Sequence, residues 1–288
     1  YFVPPKSVAL QDEGEHRRGF MLRVSHLAQL ERPAVKGDSA LEPLFEEQLA
    51  IWGKIQHAQD PEPLVAFLLR YPSGWFSELA EFRLDQVLAR QGEKKVLPQS
   101  SPDNPFSKGT AITDTRYKVG DSYTYRVTDL YTKRVTETYT QTIAKITGSE
   151  VIYDNGVITD LLGNRKRTRD GRVFGPAQFQ PPEFAVGKRW STRFRITSPL
   201  GGGGVGLVEA DIRVAAREIV TVPAGTFNAF RIESKGWARG SWGSTQSTRI
   251  YWLAPDRVKR AIAGEDFRMS GPRIIASERE ELVSYRQG

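Results

Sequence analysis

The chain has 288 residues, 39% of them hydrophobic and 26% charged, with a formal net charge of +7 and no cysteine. That balance excludes a disordered chain, and no run approaches the ~18 apolar residues of a membrane-spanning helix. The missing cysteines exclude disulfides, thiolate metal sites and a cysteine nucleophile, and the positive balance is of a size that solubility alone accounts for.

The chain starts at Tyr1 rather than Met, as a mature or truncated product does. Residues 1–36 show no clear period and read as an N-terminal arm. Residues 37–92 carry a helical period. Leu41, Phe45, Leu49, Trp52 and Ile55 form one stripe, predicting a first helix from about Ala40 to Gln59. Asp60-Pro61 supplies a cap and a first-turn proline for a second helix with Leu64, Val65, Leu68 and Tyr71 inward. "YPSG", Tyr71 to Gly74, ends it, and a third helix presents Phe76, Leu79, Ala80, Leu84 and Val87. The three together are similar to a unit of a helical repeat. Residues 93–110 are polar, contain three prolines and read as a linker.

From residue 111 to 288 the period switches to two. Tyr123, Tyr125 and Val127 share a face, as do Val135, Tyr139 and Ile143. Gly148-Ser149, Asn155-Gly156 and Asp170-Gly171 are hairpin signals. In "LVEADIRVAA" Val208, Ala210, Ile212 and Val214 face inward while Glu209, Asp211 and Arg213 face out. "VTVPAGTFNAFRIES" is a strand ending at Val222, a turn at Pro223-Ala224-Gly225, and a strand with Phe227, Phe230 and Ile232. "STRIYWLAPDRVKRAIA" adds a strand pair turning at Pro255-Asp256, and "SEREELVSYR" closes the sheet. Nine to eleven strands joined by short turns leave no room for crossover helices, so the fold class is α+β: a small three-helix unit followed by a curved antiparallel meander, either an open barrel or a lipocalin-like sheet.

Residues that usually carry chemistry are sparse. His16, His26 and His57 all precede residue 60, so no histidine serves the β domain as a base or metal ligand. Asp121, Asp160, Glu183, Glu209, Asp211 and Glu233 read as turn or outward strand positions, with no acid/base couple among them. "PLGGGGVG", Pro199 to Gly206, lacks the Lys-Ser/Thr of a phosphate loop and precedes a strand. No catalytic residue, cofactor or metal is expected. Arg165, Lys166, Arg167 and Arg169 form a basic run suited to phosphate or an anionic membrane surface. It lacks the interleaved aromatics that stack bases, so nucleic acid is not expected. The aromatic set Tyr123, Tyr125, Trp190, Phe194, Phe230, Tyr251 and Trp252 is mostly core, yet a concave sheet lined by such rings also holds apolar ligands. Tyr125, Trp190, Phe230, Tyr251 and Trp252 are the candidate ligand-binding residues.

Two resemblances add to this reading. "IWGKIQHAQDPEPLVAFLLRYPSGWFSELAEFRL", Ile51 to Leu84, resembles a short helical element that follows the peptidase domain in bacterial caspase-like proteins. The match rests on Trp52, Asp60-Pro61, Tyr71-Pro72-Ser73-Gly74-Trp75-Phe76 and Leu79 to Leu84. It covers about a tenth of the chain and brings no peptidase, because the Cys–His dyad is missing. The second covers about 140 residues in four ordered blocks: Val119-Gly120-Asp121 with Tyr125-Arg126; Val186-Gly187 with Trp190; Val222-Pro223-Ala224-Gly225 with Phe227; and Tyr251-Trp252 with Val258-Lys259-Arg260. They resemble a β-rich family of unknown function from the Gram-negative envelope. Tyr123 departs from the tryptophan usual in that family. The resemblance implies a curved antiparallel sheet like that of lipoprotein carriers, a periplasmic or outer-membrane-associated location, and no known activity. The expected function is a non-catalytic binding protein presenting an apolar concavity or face to a lipid-like ligand or a protein. The alternative is an accessory module that docks a caspase-like peptidase or another protein.

Overall fold

The computed structural model describes residues 38–91, 111–199, 204–240 and 243–288, with side chains from residue 41 on. The N-terminal arm, the linker over 93–110, His16, His26 and the glycine run at 201–203 lie outside the described residues. The chain divides into two compact units, Tyr1–Leu44 and Phe45–Gly288.

Helices α1 (Asp38–Ile55), α2 (Glu62–Arg70) and α3 (Ser77–Arg90) form as the apolar spacing predicts. Pro43 lies inside α1, where it supplies no N–H to the helical ladder. Asp60 Oδ1 accepts a hydrogen bond from the Glu62 N–H at 3.1 Å, capping α2. Within the second unit Phe45, Trp52, Leu64, Phe67, Phe76, Leu79, Ala80 and Val87 form one buried cluster, with the Trp52 and Phe76 rings stacked. Two positions differ from expectation: Leu41 and Val65 are exposed, and Phe67 takes the place of Val65 in the core. A nine-residue helix has one narrow buried stripe, and Leu64 with Phe67 at i, i+3 fill it.

Fourteen strands follow among the described residues. They are β1 (Ala111–Ile112), β2 (Ser122–Asp129), β3 (Val135–Ile146), β4 (Glu150–Tyr153), β5 (Ile158–Asp160), β6 (Arg165–Arg167) and β7 (Val173–Phe174). Then come β8 (Glu183–Phe184), β9 (Arg189–Thr197), β10 (Val205–Val222), β11 (Gly225–Gly240), β12 (Gly243–Leu253), β13 (Ala261–Ser270) and β14 (Arg273–Arg286). The count exceeds nine to eleven because β4 to β8 are two to four residues long, too short to show a period. β1 and β8 pair with each other. The other twelve form a barrel in the order β10-β11-β12-β13-β14-β2-β3-β4-β5-β6-β7-β9, every neighbouring pair antiparallel. The open-barrel expectation is therefore corrected. The barrel is closed, because β9 pairs with β10 along one edge and with β7 along the other.

The ordered sequence blocks take structural places. Asp121 and Lys259 form a buried ion pair at 3.0 Å, with side chains 3% and 5% exposed. The Asp121 carboxylate also accepts the backbone N–H groups of Lys118 and Gly288, pinning the chain end beneath β2. Arg260 lies over the Tyr153 ring at 5.5 Å, and Tyr117, Tyr123, Tyr125 and Tyr153 share one buried cluster. Pro223-Ala224 makes the two-residue turn between β10 and β11. There the Ala224 N–H reaches the Leu282 carbonyl at 3.0 Å, and Phe227 lies 6.4 Å from Tyr285.

The helical element packs on the barrel. Its tight turn carries Gly74, where a Cβ would fall 2.6 Å from Gln48 Oε1 and 2.9 Å from Tyr71 Cβ. That close turn brings the Gly74 carbonyl to Gln178 Nε2 at 3.0 Å, while Gln178 Oε1 accepts the Glu78 N–H at 3.1 Å. Glu78 pairs with Lys188 at 2.7 Å, and Arg193 lies over the Phe45 and Trp75 rings. Leu162 and Leu207 join the helical core from the barrel side.

Candidate ligand cavity

Antiparallel register decides what lies in each row of the barrel wall. Trp190, Ile212, Ser234 and Arg249 are successive cross-strand partners on β9 to β12. The next row is Thr192, Ala210, Gly236 and Ser247, and the one after is Phe194, Val208, Ala238 and Thr245. Below them, Trp190, Ile212, Val214, Phe230 and Ile232 pack a solid core with Phe184. In the upper rows the side chains of β10 to β12 are small. A cavity of about 580 Å³ opens there, within the ~300–1,000 Å³ usual for ligand sites.

One wall is apolar. Phe194 stacks on Phe174 at 6.0 Å and meets Phe179 edge-on at 5.6 Å; Ile196, Val208, Trp237 and Ile275 continue the surface. Phe179 is held from behind. Its N–H donates to Asn164 Oδ1 at 2.8 Å, and the Asn164 amide donates to Asp160 at 2.9 Å. Burial pushes the Asp160 carboxyl up to about 6 against the pull of those Asn164 hydrogen bonds.

The other wall is charged. Arg249 and Asp266 are direct cross-strand partners on β12 and β13, with Arg249 Nε 3.4 Å from Asp266 Oδ2. Arg268 Nε lies 3.3 Å from the same oxygen. The Nε groups of both arginines and Asp266 Oδ1 are buried with no hydrogen-bond partner among the described residues. Burial opposes the Arg249 charge, but the Asp266 carboxylate and the Tyr251 phenol more than offset it, so the guanidinium stays above its ordinary value. The Arg249 guanidinium also lies 5.9 Å from the Phe179 ring centre, joining the two walls. Arg165 and Arg172 sit at the rim. Arg172 is held by Asp170 at 2.7 Å, whereas Arg165 has no ion pair among the described residues. Of the two lining carboxylates, Glu209 is engaged by Arg193.

None of the five candidate ligand-binding residues lines this cavity. Tyr125 packs on Tyr139 and donates to the Ala261 carbonyl at 2.9 Å, and Trp252 shares its cluster while donating to Glu218 Oε1 at 2.7 Å. Trp190 and Phe230 belong to the other barrel cluster, with Tyr251 packed against it beside Arg249. Of the basic run, Arg165 alone reaches the cavity; Lys166 pairs with Glu150, Arg169 pairs with Glu137 at 2.9 Å, and Arg167 is exposed. The charged wall escaped sequence reading because its defining contact joins residues 17 apart through register. The available signal was polar residues at alternating positions in "STQSTRIYW": Ser247 and Arg249 share a face with Tyr251. His57 is exposed, and no group of three or more possible metal ligands occurs among the described residues.

No protein-family profile and no curated protein matches the chain. Among solved structures it is similar to a candidate exported protein with YmcC-like fold from Bacteroides fragilis, at 10% identity over 61% of this chain and 100% of that one, TM-score 0.34. A candidate lipoprotein from Parabacteroides distasonis gives 13% identity over 61% and 100%, TM-score 0.30. The hypothetical lipoprotein YmcC of Escherichia coli gives 7% over 57% and 84%, TM-score 0.38. TM-scores in that range do not establish a shared fold.

Proposed function

We propose that this protein is a non-catalytic binding protein of the bacterial envelope, and that its barrel cavity holds an amphipathic, acidic, lipid-like molecule. The observation that carries the reading is the division of the cavity into a Phe174/Phe179/Phe194 wall and an Arg249/Arg268 wall. The aromatic wall takes a hydrocarbon chain. On the other, two guanidinium groups share the single Asp266 carboxylate, an excess of positive charge that suits an acidic head group. The envelope location rests on the resemblance of the four ordered β-domain blocks. A non-catalytic role is supported by the lining itself. It has no His, Cys or Lys, and both its carboxylates are engaged by arginines, leaving the Ser and Thr hydroxyls no general base. The helical face carrying the Y-P-x-G-x-F turn is occupied by the barrel, so the cavity is the better-supported site than a peptidase-docking surface.

Native mass spectrometry of the purified protein, before and after organic extraction, tests this. A releasable adduct, or one-to-one uptake of added oleate by the extracted protein, is expected. A clean apo mass with no uptake of oleate overturns the reading.

A further inference from the structure

Alternation around an antiparallel barrel sends successive turns to opposite ends. The β2–β3, β6–β7, β9–β10, β11–β12 and β13–β14 connections all fall at one end. Thr168, Arg172, Ser198, Gly204 and Ile275 line the cavity from these connections and the strand ends beside them, so this is the end at which the cavity opens.

The same end gathers exposed apolar side chains. Among the described residues after 110 nine large hydrophobic side chains are exposed, and six of them are here: Tyr131, Val135, Val173, Val205, Ile274 and Ile275. Tyr131 is 86% exposed, at the tip of the β2–β3 turn. Scattered exposed apolar residues need no explanation, but a ring of them around one opening does. Basic side chains outnumber acidic ones among the unpaired charges at this end. Lys133, Arg134 and Arg273 are exposed and make no ion pair among the described residues. Of the nearby acids, Glu137 pairs with Arg169 and Asp170 with Arg172, while Asp129, held by the turn amides of Tyr131 and Thr132, and its cross-strand partner Glu278 keep their charge.

We propose that this rim docks the cavity mouth on an anionic phospholipid bilayer. Tyr131 and the rim Val and Ile side chains enter the headgroup boundary, while Lys133, Arg134 and Arg273 meet the lipid phosphates. The bilayer uses both features and lets a lipid-like molecule pass between membrane and cavity without crossing water. Docking does not require that the cavity be filled, so it stands apart from the ligand reading.

Flotation of the full chain with vesicles of phosphatidylcholine, alone or mixed with phosphatidylglycerol, tests the proposal. Binding is expected to the mixed vesicles and to weaken with salt. Each basic side chain at an anionic surface contributes roughly fivefold, so R134E/R273E is expected to bind at least about 25-fold more weakly. Tyr131→Ser with Ile274→Ser is expected to weaken binding at any salt. K145E, exposed at the opposite end of β3, keeps wild-type binding. Far-ultraviolet circular dichroism and oleate uptake check that the variants are folded with the cavity intact. No binding to mixed vesicles, or equal losses in K145E and R134E/R273E, overturns the proposal.

Discussion

Breaking the Asp121–Lys259 pair is the sharpest test of how the barrel is held together. Both side chains are almost wholly buried and 3.0 Å apart. The carboxylate accepts from the Lys259 ammonium and from the N–H groups of Lys118 and Gly288; the ammonium also meets the Gly288 carbonyl at 3.3 Å. Lys259→Met leaves the carboxylate with two backbone donors. Asp121→Ala leaves a buried ammonium with one carbonyl and orphans two N–H groups, so it is the costlier change. Removing one partner of a buried pair costs about 3–5 kcal/mol, whereas removing both spares the uncompensated charge. The double variant is therefore expected to be less destabilised than the sum of the singles by about 2 kcal/mol or more. Urea unfolding, followed by tryptophan fluorescence and circular dichroism together, reads this out. Additivity of the singles within about 0.5 kcal/mol, or a cost below about 1 kcal/mol for either single, would refute the reasoning.

Three further outcomes follow from the geometry. Gly236→Ala would place a Cβ 2.0 Å from the Glu209 carbonyl oxygen and 2.7 Å from Ala210 Cβ, forcing β10 and β11 apart; a loss of about 3 kcal/mol or more is expected, and an unchanged melting temperature would show that the strands are not so close. Asp160 is pushed from 3.8 up to about 6, so the folded state keeps its proton longer than the unfolded chain; this group's contribution falls as pH rises from about 4 to 6 and is flat above, by at most about 3 kcal/mol. Asp160→Asn should remove that slope, and urea midpoints of the two proteins that run parallel between pH 4 and 7 would contradict it. Arg268→Gln should weaken oleate binding about tenfold while leaving oleyl alcohol nearly unaffected, because a hydrogen bond to a charged head group contributes roughly 1.5–3 kcal/mol; titration calorimetry reads both ligands, and equal losses for the two would remove the head-group role.

Local pattern made much of the fold legible. The stripes of Phe45, Trp52 and of Phe76, Leu79, Ala80, Val87 gave the helices, and the alternation from Val208 to Val214 placed one barrel wall correctly. Closure was hidden because it depends on β7, two residues long, meeting the far end of β9. The cavity was hidden for two reasons. Bulges between Val214 and Ala216, Trp252 and Leu253, and Arg268 and Met269 shift strand parity, so alternation cannot be carried across them. The rule that charge faces outward also fails at Arg249, Asp266 and Arg268, which offset one another across strands. Large rings were read as the ligand wall, but rings of that size fill space. Tyr125, Trp190, Phe230 and Trp252 lie where the barrel is solid.

The hollow is written instead in the small residues. Along the wall, the row of Trp190, Ile212, Ser234 and Arg249 gives way to Thr192, Ala210, Gly236 and Ser247. Nothing in strand propensity favours that row. Glycine and alanine are poor strand residues, and larger side chains facing the lumen would bury more apolar surface. Gly236 and Ala210 are accounted for by the close approach of their strands, where a Cβ on Gly236 would fall 2.7 Å from Ala210 Cβ; that contact does not involve Ala238 or Ser247. A barrel shaped for stability alone would continue its lower core upward. This one stops at the row where Arg249 enters, places its aromatic side chains on the opposite wall, and leaves between them a space with one greasy and one cationic face. The upper rows are thus explained by what they leave room for, and the lower rows by how tightly they pack.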